Sequence, residues 1–305
     1  MRVVVTGATG VIGTSAVRAL VAAGHQVVGL ARTQHKADAL RDLGAEPARA
    51  RLFDHDALAS VFDGSDVVCN LATHIPVGYA ALVPGAWREN DRLRTAGVGA
   101  VVAAARDAGV RRIVQESVSF LYADNGDDWI NEGSSLGITG ATEPASVGES
   151  QVQDYQCLSR HGVVLRFGSI VGDDAQSRWM LRANRSRRPI GMGDPGNWAH
   201  VVHTDDIGYA VVAALSAPSG VYNVGAEPVR RADLVQGFAD AVGQEHAAFL
   251  GRTTRRLAGT RIEPMTRSLR VSSEHFTAQT GWAPRRRTFD ASWFDLLEPQ
   301  PNAAR

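Results

Sequence analysis

The feature that most constrains this chain is the segment 3–13, which reads Val-Val-Val-Thr-Gly-Ala-Thr-Gly-Val-Ile-Gly. A β-branched apolar run predicts a buried strand, and it gives way to three glycines directly before an amphipathic helical pattern. Gly7 allows a tight turn, Gly10 lets backbone amides approach a pyrophosphate, and Gly13 lets the helix pack against the strand. The first turn of such a helix offers unpaired N–H groups to a phosphate. This segment therefore predicts a dinucleotide-binding turn.

Strand and helix patterns alternate after this segment. The patterns predict strands at 26–30, 49–53, 66–72, 112–117, 162–167, 201–203 and 221–224, and helices at 36–43, 90–108, 146–159, 178–188, 205–215 and 232–242. Thr204 suits the N-cap of the helix at 205–215. Alternation of this kind predicts an α/β fold, a Rossmann-type doubly wound parallel sheet.

Composition excludes several classes of function. Among 305 residues, Lys plus Arg and Asp plus Glu both number 32, so no charge excess indicates nucleic acid or an anionic membrane. Cys69 and Cys157 have no CxxC spacing, so we expect neither a metal site nor a disulfide framework. The first strand begins almost at Met1, and no apolar stretch approaches about 18 residues. We therefore expect a cytoplasmic protein without a membrane segment.

The end of the second strand bears on the choice of cofactor. An acidic residue there usually holds the adenine ribose, whereas a nearby arginine accommodates a 2′-phosphate. The strand ends Gly-Leu-Ala-Arg at Arg32, with no carboxylate. We therefore favour NADP over NAD. The alternative is that Arg32 is a solvated loop residue.

Two loops are expected near the ligand. The loop 73–76 follows the fourth strand at its carboxyl end, where parallel sheets present ligands, so His74 is a candidate acid or base. The alternative is an ordinary surface histidine. The long loop 122–145 carries Trp129 and Ile130, and two large apolar residues favour a loop packed over a pocket rather than a disordered excursion.

Aromatic and methionine side chains in these loops and in the later segments predict a substrate pocket. The candidates for substrate binding are Trp129, Met180, Met192 and Trp198, joined by Tyr122 and Phe167. Such side chains suit an organic ring system better than a sugar nucleotide. The alternative is that half of them are ordinary packing.

Several motifs together carry a family resemblance. They are Thr-Gly-Ala-Thr-Gly-Val-Ile-Gly at 6–13, Asn-Leu-Ala at 70–72, Asn90, the segment 117–122, Val-Leu-Arg at 164–166, Val-His-Thr-Asp-Asp at 202–206 and Tyr-Asn-Val at 222–224. Over residues 1 to about 245 the chain resembles an extended short-chain dehydrogenase/reductase, of the NAD-dependent epimerase/dehydratase family. The resemblance implies a Rossmann core, a small discontinuous C-terminal lobe that closes over a small-molecule substrate, and a homodimer formed through the helices 90–108 and 146–159.

The resemblance also implies a division of the chain and a set of cofactor contacts. The expected core is 1–168 plus about 197–225, the expected substrate lobe is about 169–196 plus 226–298, and 299–305 is expected to be a frayed tail. The expected cofactor-binding residues are Gly7, Thr9, Gly10, Val11, Ile12, Gly13, Arg32, Leu52, Ala72, Thr73, Ser117, Phe167 and Ile170.

The chain departs from the family at the residues that move protons. Active members carry Tyr-x-x-x-Lys, but the corresponding segment 144–149 reads Pro-Ala-Ser-Val-Gly-Glu, and Lys36 is the only lysine. Where the family has a Ser or Thr after the fifth strand, this chain has Val118. Where the family has an Asp that contacts the adenine, this chain has Arg51. Glu149 stands where the family has lysine.

Two functions follow from this departure. The first is an enzyme, an NADP-binding reductase, isomerase or cyclase acting on an apolar small molecule, with His74, Tyr122 and Glu149 as candidate acid/base groups. Glu149 would serve as a base if it were buried beside Trp129, and the alternative is an exposed glutamate at the start of a helix. The second function is a non-catalytic sensor whose NADP occupancy changes lobe closure and partner binding. Long pocket-lining loops favour the enzyme.

Overall fold

The computed structural model describes residues 1–251 and 261–294. Its strands are β1 Arg2–Thr6, β2 Gln26–Leu30, β3 Glu46–Ala48, β4 Val67–Asn70, β5 Arg112–Val118, β6 His161–Phe167, β7 Ser169–Val171, β8 Trp198–Ala199, β9 Val201–His203, β10 Gly220–Val224 and β11 Val229–Arg230. Seven of them form one parallel sheet in the order β10-β6-β5-β4-β1-β2-β3. The order reverses between β1 and β4, and such a switch point leaves a crevice at the carboxyl ends of the strands.

Helices connect the strands. They are α1 Val11–Ala22, α2 Gln34–Asp42, α3 His55–Phe62, α4 Arg88–Arg92, α5 Val98–Asp107, α6 Glu143–Gln153, α7 Ala175–Arg185, α8 Thr204–Ala214, α9 Arg231–Asp240 and α10 Glu274–Thr280. A π-helical turn at Leu93–Gly97 joins α4 to α5, and 3₁₀ turns lie at Gly78–Leu82, Ser119–Leu121, Glu263–Thr266 and Ala291–Phe294.

The sheet has a hydrophobic core on each face. Alternate residues of a strand point to opposite faces, so Val3 and Val5 pack with α1, α2 and α8, whereas Val4 packs with α3, α5 and α6. Covering both faces of a parallel sheet with helices explains why its strands are continuous apolar runs. The predicted doubly wound Rossmann-type fold is confirmed.

Three local predictions differ from the structure. The third strand is Glu46–Ala48 rather than 49–53, because the chain turns at Arg51, whose carbonyl accepts from Asp54 N at 3.0 Å. The N-cap of α8 is His203, whose Nδ1 accepts from Asp205 N at 3.2 Å, so Thr204 is not the cap. Helix α6 ends at Gln153 rather than at 159. The chain turns directly after Gln153, and Tyr155 is fully buried there.

A third hydrophobic cluster lies apart from the two that flank the sheet. It joins α7, α9 and the turn Ala291–Phe294, with Leu181, Val235 and Phe238 among its buried members. Two short sheets, β7 with β9 and β8 with β11, contribute apolar residues to this cluster. We call this cluster and its elements the lobe. The expected division of the chain at 168, 197 and 225 stays a prediction, and its end at 298 and the expected tail at 299–305 lie outside the described residues.

The described residues contain neither a membrane-spanning helix nor a metal-binding cluster. None of the helices in residues 1–251 and 261–294 has the length and apolar character needed to cross a membrane. Over the same ranges, no group of three or more His, Cys, Asp or Glu side chains is arranged to hold a metal ion.

Candidate functional site

A cavity of about 930 Å³ opens at the carboxyl ends of β1, β4, β5 and β6 and extends to the lobe. One part of its wall is the glycine turn, and the opposite part is made of lobe side chains. The loop after β4 packs against α7 between the two parts, with the Tyr79 and Trp179 rings edge to face at 4.9 Å. The cavity volume is in the range of natural small-molecule sites.

The glycine turn has the geometry that the sequence predicts. Gly7 has a φ of +65°, and a Cβ there would lie 2.5 Å from the Leu71 carbonyl oxygen. A Cβ at Gly13 would lie 2.1 Å from the Gly7 carbonyl oxygen, so only glycine lets α1 lie this close to the turn.

The start of α1 is open for an anion. No side chain caps the helix and no acidic residue lies in its first turn. The first intrahelical bond runs from Thr14 N to Gly10 O at 2.8 Å, so the amides of Val11, Ile12 and Gly13 precede the helical ladder. Three free amides at the positive end of a helix fit the diphosphate of a dinucleotide.

Most of the expected cofactor-binding residues line this cavity. Those on its wall are Gly7, Thr9, Gly10, Val11, Ile12, Arg32, Leu52, Ala72, Thr73, Phe167 and Ile170. Gly13 and Ser117 are not on the wall. Gly13 lies behind the turn, and Ser117 is buried with its hydroxyl donating to Glu149 Oε1 at 2.5 Å.

Cationic side chains gather at the end of the cavity beside β2. Arg32, Lys36, Arg51 and Arg92 line it there, and the Arg92 guanidinium lies 3.9 Å from the centre of the Phe53 ring. Phe53 and Leu52 add apolar surface between these charges. The residues at this end suit a group with both a ring and a negative charge.

The expected substrate-binding residues divide into two sets. Met180, Met192 and Trp198 line the cavity. Trp129 does not line the cavity, and this residue is 52% exposed. Its neighbour Ile130 is the residue that enters the core, at 1% exposed, because adjacent residues of an extended segment face opposite ways.

Two of the three expected acid/base groups do not reach the cavity. Tyr122 is fully buried and its hydroxyl donates to Asn223 Oδ1 at 2.8 Å. Burial raises the pKa of Tyr122 above its usual value. His74 does lie on the wall, exposed, with its backbone N–H donating to Asn90 Oδ1 at 3.2 Å.

Glu149 is buried, but beside a cation rather than beside Trp129. Arg166 donates to it through two nitrogens, Nε to Oε1 at 2.9 Å and Nη2 to Oε2 at 2.6 Å. Glu149 is absent from the cavity wall and accepts a third bond from Ser117. The condition on which Glu149 would serve as a base, burial beside Trp129, is therefore not met, and the alternative of an exposed glutamate is not met either.

Sequence reasoning missed four buried polar or charged residues on the cavity wall. They are Glu116, Asp174, His200 and Arg231. Asp174 Oδ2, both ring nitrogens of His200 and Arg231 Nε are buried and have no hydrogen-bond partner among the described residues. Each stands alone in the sequence among unrelated neighbours, so no local pattern marks it.

Burial shifts the pKa of His200, Asp174 and Arg231. Burial alone lowers the pKa of His200 to about 3, so its imidazole is neutral. Burial likewise raises the pKa of the Asp174 carboxyl, against the effect of the amides of Gln176 and Ser177 that donate to its Oδ1. The fourth residue, Glu116, forms an ion pair, in which Arg94 Nη2 lies 2.7 Å from its Oε1.

Comparison with known proteins gives a partial family match and two reductases. Residues 7–143 match a family model described as NAD(P)H-binding. A 3-diazoavenalumate denitrifying reductase of a Streptomyces species is 29% identical over 311 residues, which cover 97% of this chain and 99% of that protein. A 4-hydroxy-2-methyl-3-oxo-4-farnesyl-3,4-dihydroquinoline-1-oxide ketoreductase of Stigmatella aurantiaca is 35% identical over 124 residues, which cover 41% of this chain and 35% of that protein.

Solved structures share the fold. A UDP-glucuronic acid 4-epimerase of Bacillus cereus, solved in complex with NAD, superposes with a TM-score of 0.76 at 17% identity, covering 98% of this chain and all of that one at 100%. At this identity the match shows a common architecture.

Proposed function

We propose that this protein is an NADP-dependent reductase of an apolar, ring-containing small molecule, and that it works without a tyrosine–lysine proton relay. The observation that carries the proposal is the single cavity that joins the glycine turn to Met180, Met192 and Trp198. Hydride transfer needs cofactor and substrate in contact in a space that excludes water, and this cavity has room for both.

The cationic end of the cavity supports NADP rather than NAD. Arg32 and Lys36 lie there, and β2 ends at Leu30 without a carboxylate that would repel a 2′-phosphate. The amides at the start of α1 would hold the diphosphate, and Phe167 and Ile170 would border the opposite end of the dinucleotide. When bound, NADPH supplies the hydride.

A reduction also consumes a proton, which this chain would deliver by other side chains than the family does. Lys36, the only lysine, lies at the cofactor end of the cavity, and Arg166 holds Glu149 away from it. Of the other ionisable residues on the wall, which include Tyr79, Glu89 and His200, we propose His74 and Asp174 as the groups that hold the proton. Asp174 has one oxygen without a partner and a raised pKa, and imidazole is a common acid at neutral pH.

The names of the relatives support a reduction of a small molecule. The relative that aligns over nearly the whole chain is named a reductase, and the one from Stigmatella aurantiaca is named a ketoreductase of a quinoline oxide. A ring system of that kind is consistent with the apolar lobe end of the cavity. This cavity also favours an enzyme over a sensor, since a sensor of NADP has no need of a second, apolar compartment.

The experiment is a titration of the purified protein with NADPH and NADH, followed by an assay of NADPH consumption. The assay uses a panel of aromatic diazo compounds, quinoline oxides and cyclic ketones. We expect tighter binding of NADPH and consumption equal to product formed. Equal or absent binding of the two cofactors would contradict the NADP assignment, and binding without consumption over the whole panel would favour the sensor.

A further inference from the structure

Four arginines are buried in the described part of the chain, and three of them pair with glutamates. The pairs are Arg94–Glu116, Arg166–Glu149 and Arg267–Glu263, at 2.7, 2.6 and 2.7 Å. The fourth is Arg231, which is 8% exposed and forms no ion pair with any residue in 1–251 or 261–294. A buried charge without a counter-charge is costly, so its position requires an explanation.

The guanidinium of Arg231 is held in one orientation. Its Nη1 donates to Met265 O at 2.6 Å and its Nη2 donates to Arg267 O at 2.7 Å, while its Nε has no partner. Burial lowers the pKa of Arg231 to about 10, and the carboxylates of Asp124 and Asp194 oppose this only from a distance. The group therefore carries a full positive charge at neutral pH, with donor capacity left over.

Arg231 is also the one among these four buried arginines that lines the cavity. It begins α9 at the lobe end, across the cavity from the cationic residues beside β2. Apolar side chains surround it on the wall, namely Leu234, Val235, Phe238, Met265 and Leu269. In such surroundings a charge interacts more strongly with an anion than it would in water.

We propose that Arg231 binds a carboxylate of the substrate, so that the substrate is a ring-containing organic acid rather than an uncharged molecule. The Nε edge of a guanidinium matches the oxygens of a carboxylate in plane and spacing. Three acids line the described wall, and none of them supplies this anion, since the first of them, Glu89, is an exposed residue of α4. Glu116 is paired with Arg94, and Asp174 Oδ1 caps α7. This inference rests on the proposed function only in taking the lobe end of the cavity as the substrate site.

The test measures binding of matched acids and amides to the full-length protein saturated with NADPH. The probes are two matched pairs, naphthoate with naphthamide and biphenyl carboxylate with biphenyl carboxamide. Calorimetry measures the affinity of each probe. We expect at least one carboxylate to bind about 10- to 100-fold more tightly than its amide. Arg231→Gln removes this preference and leaves amide affinity unchanged. Arg182→Gln, an exposed arginine on α7 outside the cavity, makes the same charge change and keeps the preference.

Two results overturn the inference directly. One is equal affinity for every acid and its amide in the wild type, and the other is a preference that survives in Arg231→Gln. If Arg231→Gln loses both kinds of ligand, Arg231→Lys decides. Because it keeps the cation, it restores amide binding and part of the carboxylate preference if the inference holds, and loss of both ligands again would give Arg231 a structural role only.

The cofactor titration separates this inference from the proposed function. If NADPH does not bind but the protein alone prefers carboxylates through Arg231, the reductase proposal fails and the anion site stands. If NADPH binds and is consumed while no carboxylate is preferred, the reductase proposal stands and the anion site fails.

Discussion

Glu149 forms a buried ion pair with Arg166. The family resemblance leads us to expect Glu149 at the position of a lysine, and in the structure Arg166 and Ser117 together supply three donors to its carboxylate. The pair is buried on both sides, at side-chain exposures of 5% and 6%. The pair therefore contributes to the stability of the core.

Glu149→Gln should lower the free energy of unfolding by about 3 kcal/mol, because it leaves Arg166 buried without a counter-charge. Denaturant unfolding followed by circular dichroism measures this. The matched control is Glu227→Gln, which breaks the exposed pair with Arg287 and should change stability by less than about 1 kcal/mol. Equal losses in the two variants would contradict the structural role of Glu149.

At the same scale, His74 and Asp174 are the proposed proton holders. His74→Ala and Asp174→Asn should each lower kcat by about 100-fold if the residue delivers the proton, with smaller changes in KM. Asparagine caps a helix as well as aspartate does, so Asp174→Asn keeps the start of α7 intact. Steady-state rates of both variants, with the substrate found in the panel, measure this, and unchanged rates in both would remove these two groups from the mechanism.

At the scale of elements, the unit β1-turn-α1 is a close contact between backbones. The prediction concerns Gly13, where a Cβ would meet the Gly7 carbonyl oxygen at 2.1 Å and Ala8 Cα at 2.7 Å. Gly13→Ala should cost at least about 2 kcal/mol of stability and abolish NADPH binding, because backbone atoms cannot move aside without opening the turn.

Gly140→Ala is the control for this prediction. No atom lies within 4 Å of a Cβ at Gly140, so stability should stay within about 0.5 kcal/mol of the wild type. Thermal melting and an NADPH titration compare the two variants. A Gly13→Ala protein that still binds NADPH with wild-type affinity would mean that the diphosphate does not lie on this turn.

The short strands β8 and β9 connect the lobe to the core. The segment 198–203 places Trp198 and His200 on the cavity wall, and His203 caps α8 of the core. A Cβ on Gly225 would lie 2.0 Å from His200 Nε2, so the imidazole is packed directly against the backbone that follows β10. This packing buries the imidazole ring of His200.

At the scale of the whole molecule, the burial of the His200 imidazole makes the free energy of unfolding depend on pH. The folded pKa of His200 is about 3, against 6.5 when unfolded, so the unfolded chain binds the additional proton between these values. Stability from this group is therefore complete above pH 6.5 and is lost as pH falls toward 3. We expect a loss of about 2 kcal/mol at pH 5. His200→Gln should remove this part of the pH dependence, as thermal melts at pH 5 and pH 7 would show, and identical slopes would contradict the burial argument.

Several features of the molecule follow from sequence because they depend on neighbours in the chain. The bounds of β2 at Gln26–Leu30 and of β9 at Val201–His203 coincide with the predicted strands. The third strand is predicted at 49–53 but lies at Glu46–Ala48. The segment 49–53 contains apolar residues, and such residues occur both in strands and in a turn that leads into a capped helix. Apolar periodicity does not distinguish the two.

The sequence by itself determined the glycine turn and the doubly wound sheet, because spacing and residue type decide both of these locally. Only the tertiary structure decided that Glu149 meets Arg166, that Trp129 faces outward, and that Arg231 stands unpaired in the cavity wall. These outcomes depend on contacts between segments far apart in the chain, such as the bonds from Arg231 to carbonyls 34 and 36 positions away. Whether a charge is neutralised or left free depends on which carboxylate the fold brings near it, and no local pattern records that.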